Sequence, residues 1–245
     1  MRPCHNRRHW SVVSADPNSP EALRLVHQVL DRARSPAVPN RVGYLEALAS
    51  GKDVLDVGVV DHCPRAQHRS DWLHDRILRT AKSVLGLDVL ASEVERLGHE
   101  GYQVRLMDFT DAVPEGNYDL IVCGEVIEHV PSPQKIFRSA TRVLRPGGRI
   151  VLTTPNPYFT RRIFDSIRHV SRDSADHVAL FSPWNIAEMA SREGMMLVSY
   201  RGVLDPGKIS TFRGYMSSWL RPIWLRFLPP EMFCETMIYE CVIGD

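Results

Sequence analysis

Lys52–Cys63 reads KDVLDVGVVDHC. Its short apolar run, Asp53–Val57, carries an acid at Asp56 and is followed by Gly58, as at the start of a nucleotide-binding strand and turn. The further glycines of a phosphate loop do not follow. Val60 and His62 stand where a Gly-x-Gly-x-Gly turn would place them. The stretch is either a cofactor loop without its glycines or an ordinary buried strand, and its surroundings decide between the two.

Downstream, short apolar strands alternate with helical patterns. VLGLD (84–88), YQVRLMDF (102–109), YDLIVCG (118–124) and RIVLTTPN (149–156) read as strands. Between them, SDWLHDRILRTAKS, ASEVERLGHEG and SPQKIFRSATRVL read as helices, and SPWNIAEMASREG follows as another, with Ser182 as cap and Pro183 just inside it. This alternation predicts an α/β fold: a doubly wound, mostly parallel sheet of Rossmann-like type. MMLVSYRGV (195–203) and ETMIYECVI (235–243) add an antiparallel edge pair around an insertion, making seven strands. Upstream, SPEALRLVHQVLDRARS reads as an amphipathic helix and NRVGYLEALASG as a second, short helix ended by Gly51. The expected division is a helical cap over 1–51 and a main domain over 52–245. Insertions near 155–178 and 204–234 would serve as lid or substrate segments.

Bulk properties narrow the function. Of 245 residues, 30 are Lys or Arg and 29 are Asp or Glu, so no basic field points to nucleic acid. The five cysteines are scattered without a C-x-x-C pair, which indicates a reducing, cytoplasmic setting. The basic N-terminus lacks the apolar core of a secretory signal, and no apolar run approaches the ~18 residues of a membrane span.

In a doubly wound sheet, ligands sit outside the carboxyl ends of the strands. Asp56, Asp88, Asp108 and Glu125 stand at or next to those ends in four consecutive strands. Singly, each suits a helix cap. As an ordered set they indicate a crevice for a hydrogen-bond-donating, cationic ligand, since unpaired acids there would be costly.

VLDVG, LGLD, LMDF, DLIVCGEVIEHV and LRPGGRIVLTTPNP together resemble the class I S-adenosylmethionine-dependent methyltransferases, over roughly Lys52–Val203. The resemblance implies that Asp56 and Gly58 hold the methionine part of the cofactor and that Asp88 takes the ribose hydroxyls. Asp108 and Phe109 would contact adenine, and Glu125 would lie beside the methionine and the acceptor. This cofactor has no phosphate, so a glycine-rich cradle is unnecessary, whereas a nicotinamide oxidoreductase would need one. One departure is clear: Asp56 and Asp88 lie 32 positions apart, against about 20 in dinucleotide folds. The excess is VVDHCPRAQHRS, resembling a methyltransferase subgroup in which a longer loop leads into a WLH helix. Asp61, His62, Trp72 and His74 then become candidates for the methionine-side wall. Alternatively, Trp72 packs the helix and His74 lies at the surface.

The EVIEH motif carries the candidate chemistry. Glu125, Glu128 and His129 share one face if a helical turn begins there. His129, assisted by Glu128, is the candidate base for an acceptor hydroxyl. With the later His177, Glu125, Glu128 and His129 match in order the metal ligands of methyltransferases acting on small-RNA 3′-terminal ribose, which implies a Mg²⁺-like site. Ubiquinone-type O-methyltransferases carry a similar Glu-x-x-Glu-His and act on phenols. TTPNPY with DHVALFSPWNI resembles bacterial enzymes of sugar and polysaccharide pathways. A sugar or glycan O-methyltransferase is therefore the first expectation and a phenolic or quinone-precursor enzyme the second. A non-catalytic S-adenosylmethionine-binding protein is the alternative of another class. The aromatic and arginine-rich segments PYFTRRIFDSIRHVSRDS and STFRGYMSSWLRPIWLRFLPP suit a lid, a homodimer face or a peripheral membrane patch.

Overall fold

The computed structural model describes residues 9–60, 71–170, 173–204 and 229–244. Seven strands form one sheet: β1 (Asp53–Val57), β2 (Ser83–Asp88), β3 (Val104–Leu106), β4 (Tyr118–Gly124), β5 (Leu144–Pro155), β6 (Met195–Val203) and β7 (Thr236–Ile243). Their order is β3-β2-β1-β4-β5-β7-β6, parallel except for β7, which runs antiparallel to both β5 and β6. The chain reverses direction across the sheet between β1 and β4, where a Rossmann-like fold opens its ligand crevice.

The helices are α1 (Pro20–Ala33), α2 (Arg41–Ala49), α3 (Leu73–Leu78), α4 (Ala91–His99), α5 (Gln134–Val143), α6 (Thr160–Ile167) and α7 (Pro183–Arg192). Three of them start as side-chain chemistry dictates. Ser19 and Asn40 accept from Ala22 N and Gly43 N, and Ser182 forms a capping box with Asn185, with Pro183 at the first turn.

Alternation along the strands builds two cores. Leu55, Val57, Ile121, Cys123, Ile150 and Leu152 face one side, where Phe137, Ala140 and Ile186 of α5 and α7 meet them. Val54, Leu120, Val122, Val151 and Ile238 face the other, against Leu45 and Ala49 of α2 and Ile77 of α3. Burying each such Leu or Ile stabilises the fold by roughly 1.5–3 kcal/mol.

The expected cap helices lie against this sheet. The segment after α1 runs beside β6, with Ser35 N donating to Tyr200 O at 2.9 Å and Val38 N to Gly202 O at 3.0 Å. The α2 helix is tied to β7 by a hydrogen bond of 2.6 Å from the Tyr44 hydroxyl to the buried Glu240, which also takes Arg149 at 2.8 Å.

At the amino ends of the strands, Arg145 Nη1 lies 2.8 Å from both Asp53 Oδ2 and Asp119 Oδ1. Asp119 also accepts the Asp53 backbone N–H at 2.9 Å, and Asp53 takes Ser83 Oγ at 2.7 Å and Lys82 Nζ at 3.0 Å. These bonds hold both carboxyls below the usual carboxylate range: Asp53 through Ser83, Arg145 and Lys82, Asp119 through the Asp53 N–H and Arg145. A lowered folded-state pKa gives stability that is present above the unfolded value, near ~4, and lost as pH falls through the folded one. The doubly substituted D53N/D119N protein should therefore unfold at a lower temperature than the parent at pH 6. That difference should shrink steadily below about pH 4; a gap independent of pH in thermal scans would show that the clamp does not act through its charges.

Candidate active site

The crevice at the β1–β4 boundary begins at Gly58. Its φ is +79°, in the left-handed region, and a Cβ there would collide with Cγ2 of Val126. Glycine is needed twice over, for conformation and for space. Gly58 N donates to Leu87 O at 2.8 Å, which joins the turn after β1 to β2.

Asp56 points away from this turn and into the protein. Its Oδ2 lies 2.8 Å from His74 Nδ1 of α3, and both side chains are buried. His74 packs so closely on β2 that a Cβ on Gly86 would come within 3.0 Å of its Cε1. Trp72 is buried as well. Its indole N–H donates to Val59 O at 3.0 Å, and its ring meets Tyr102 edge-on at 5.2 Å in a small cluster with Leu97. Of the expected wall residues, Trp72 and His74 thus brace the β1 turn from inside. The other two, Asp61 and His62, lie outside the described residues.

Asp88 ends β2, almost fully buried. Its Oδ2 accepts Val60 N at 2.9 Å, and its Oδ1 accepts Val89 N at 2.8 Å and Leu90 N at 3.0 Å. It therefore shapes both the loop after β1 and the start of α4, and one of the ~four acceptor positions of a carboxylate is left over. Asp108 accepts the backbone N–H and hydroxyl of Thr110 on Oδ1, at 2.8 and 2.7 Å. Phe109 is packed into the main core.

The turn after β4 differs from the expectation. It is a single turn closed by His129 N donating to Val126 O at 3.0 Å, and Glu125 precedes it with φ +58°. That backbone turns Glu125 toward β5 while leaving its charge beside Glu128. Its Oε1 accepts Thr153 Oγ1 at 3.0 Å, with Arg41 Nη1 at 3.5 Å. Among the described residues, the ligand atoms that gather within 4.8 Å of one another belong to Glu128, His129 and His177. The expected four-residue metal set thus closes to three.

Glu128 is fully buried, and neither of its oxygens meets a hydrogen-bond partner among the described residues. Burial first, and then the charge of Glu125, push its carboxyl up to about 8. The imidazoles of His129 and His177 meet edge-to-face at 4.7 Å. His129 Nδ1 lies 3.0 Å from Asp176 Oδ2. Glu128, His129 and His177 could together hold a metal ion. Two imidazoles and one carboxylate are a softer donor set than the oxygen octahedron Mg²⁺ prefers, and they favour a borderline divalent ion over the expected Mg²⁺.

Sequence reading missed Arg41. It sits at the first turn of α2 and reaches the end of β5, donating to Thr153 Oγ1 at 3.0 Å. Asp176 begins the DHVALFSPWNI stretch, but its pairing with His129 was not foreseen. Arg41 has no motif around it, and both contacts are recognisable only once β4, β5 and the 173–178 segment are side by side.

A methyltransferase-domain family model matches residues 10–200 of the chain. The chain belongs to this family. It is a class I S-adenosylmethionine-dependent methyltransferase, and its Rossmann-like sheet with antiparallel edge is the fold expected of one. The methyltransferase is 25% identical over 182 residues to the ubiquinone biosynthesis O-methyltransferase of Cupriavidus pinatubonensis, covering 67% of this chain and 69% of that one. A S-adenosylmethionine-dependent methyltransferase from Clostridium acetobutylicum superposes with a TM-score of 0.52 at 11% identity, covering 83% of this chain and 88% of that one. The 1,6-didemethyltoxoflavin N1-methyltransferase of Burkholderia thailandensis, solved with S-adenosylhomocysteine, superposes with a TM-score of 0.50 at 15% identity, over 83% and 76% of the two chains. At such identities the two structures speak for the fold alone.

Gly58→Ala tests the floor of this methyltransferase's crevice. It should lower the melting temperature and weaken S-adenosylmethionine binding at least tenfold, because an alanine there meets both positive φ and Val126. The additional change Val126→Ala, which removes the collision but not the strained φ, should recover part of the loss. Wild-type affinity in Gly58→Ala, measured by calorimetry, would refute the tight approach.

Proposed function

We propose that the enzyme transfers the methyl group of S-adenosylmethionine to a phenolic hydroxyl of a small aromatic acceptor, with His129 taking the hydroxyl proton. The observation that carries this reading is the His129–Asp176 pair, 3.0 Å apart on the turn after β4. A carboxylate beside Nδ1 favours the proton there and directs the basic lone pair to Nε2, as in other base–orienter pairs. Asp176 acts as a positioning residue, and the Glu128 carbonyl, which accepts Val178 N at 2.8 Å, ties the turn to the segment of His177.

Acidity decides between the two acceptor classes expected from the sequence. A phenol, with pKa near ~10, yields its proton to a neutral imidazole once methylation has begun. A sugar hydroxyl is far less acidic and calls for a metal or a stronger base. The donor set here is a poor one for Mg²⁺, and relatives named as ubiquinone biosynthesis O-methyltransferases support the phenolic class. The sugar reading keeps the arginine- and aromatic-rich segments in its favour, but most of the second of these lies outside the described residues.

For the cofactor, the reading assigns the backbone around Gly58 to the methionine chain and the remaining acceptor position of Asp88 to the ribose. Asp108 would take the adenine amino group, with the buried Phe109 bracing that turn from below. Arg41 and Glu125 form an opposite-charge pair at the end of β4 and β5. They match the carboxylate and ammonium of a methionine tail. The protein's part in the reaction is to align sulfonium and hydroxyl for in-line displacement and to receive the proton.

His129→Ala should keep S-adenosylmethionine affinity within about threefold, while turnover of a phenolic acceptor falls by roughly 10²–10⁴. An unchanged rate would remove His129 from the chemistry. Turnover should be the same in EDTA as in Mg²⁺; loss in EDTA with recovery on adding Mg²⁺ would overturn the metal-independent base. Failure to bind S-adenosylmethionine at millimolar levels would remove the cofactor assignment itself.

A further inference from the structure

The α6 helix, Thr160–Ile167, is inside out. A surface helix normally turns its apolar stripe inward and its charges to water. Here Asp165 is only 9% exposed, while Ile163, Phe164 and Ile167 are 51%, 65% and 70% exposed. At about 100° per residue these three lie within one third of the helix circumference. Tyr158 before the helix and Val170 after it are exposed too.

The polar side of α6 is the one turned to the protein. Asp165 on it is buried, with Arg161 Nε of the same helix at 3.7 Å, and Arg162 leaves the helix to pair with Asp173. Asp173 opens the segment that carries Asp176 and His177. The apolar stripe therefore projects from the crevice end of the sheet, on a helix linked to the His129 partner segment.

Charge says what the stripe faces. Residues 158–170 contain three arginines and one aspartate, and that aspartate is buried. Arg161 and Arg168, seven positions apart, share the border of the stripe, and His169 follows; all three are exposed. Protruding Phe and Ile side chains edged by cations, with no exposed acid among residues 158–170, complement an anionic lipid surface. A protein partner would need a groove shaped to the stripe, and a second copy would bring arginine against arginine.

We propose that α6 is an interfacial helix that seats this end of the enzyme on anionic membranes, inserting Ile163, Phe164 and Ile167 with Arg161 and Arg168 at the headgroups. The proposal holds whichever hydroxyl is methylated. It is also compatible with the absence, among the described residues, of any helix long and apolar enough to cross a membrane.

The test is cosedimentation of the full chain with vesicles of phosphatidylcholine, alone or mixed with phosphatidylglycerol. Binding is expected to the mixed vesicles, falling with salt, and far less to phosphatidylcholine alone. F164E/I167E should weaken it by on the order of tenfold or more, and R161Q/R168Q should do so by a comparable factor. Circular dichroism and S-adenosylmethionine affinity should stay at wild-type values, showing that the variants fold. No binding of the parent chain to the mixed vesicles would overturn the proposal, as would undiminished binding of F164E/I167E. So would a change from dimer to monomer in F164E/I167E by analytical ultracentrifugation, which would give the stripe to a second copy.

Discussion

The contact between Gly58 and Val126 is the constraint on which the crevice depends. It brings the turn after β1 against the turn after β4, at the one place where the order of parallel strands reverses. Any side chain at position 58 would push the two turns apart. Because they touch, the ends of β1 and β4 form one floor, and Glu125 and His129 rise from the same short turn at its edge. Gly58 also donates to Leu87 O, so β2 is drawn into the same floor and Asp88 is placed within reach of Val60. One missing Cβ thus aligns three strand ends.

The acids at those ends serve two purposes. Each was readable as a helix or turn cap, or as part of a ligand site, and the structure gives every one of them a protein partner. Asp56 has His74, Asp88 has three backbone N–H groups, Asp108 has Thr110, and Glu125 has Thr153 and Arg41. A buried carboxylate without such bonds would carry the full cost of its desolvation. Glu128 is the exception, fully buried with neither oxygen partnered among the described residues, and its raised pKa follows from that burial and from the charge of Glu125 beside it. The loop that lacks a phosphate cradle follows the same logic: with an internal Asp56–His74 pair and Trp72 braced on Val59, the turn needs only one glycine to keep its shape.

The strands were legible because alternation and length both speak for them. Asp53–Val57, Tyr118–Gly124 and Met195–Val203 begin and end where the pattern of apolar residues says. The β3 strand is shorter than YQVRLMDF suggests, three residues at the sheet edge with a single neighbour, where little pairing offsets the cost of order. The α3 helix is likewise shorter, because Trp72 is used to reach Val59 rather than to begin a helix. The candidate site was legible as a set of residue types but not as a geometry. Spacing put Glu125, Glu128 and His129 on one face, and a positive φ at Glu125, invisible in the sequence, turned the first of them toward Thr153 and Arg41. Arg41, and the pairing of Asp176 with His129, depend on tertiary placement alone.

The same limit explains why the segment after β5 was readable as irregular. Its apolar residues recur at helical spacing, but a helix whose hydrophobic side meets no core has no intrachain reason to form, and most helical stability comes from packing that side. Here the fastening is polar. Arg161–Asp165 is a pair within α6, while Arg162–Asp173 and the Thr160 hydroxyl on Met232 O, at 3.0 Å, join the helix to its neighbours. Polar contacts at its start and on its charged side thus hold a helix whose apolar side meets no core.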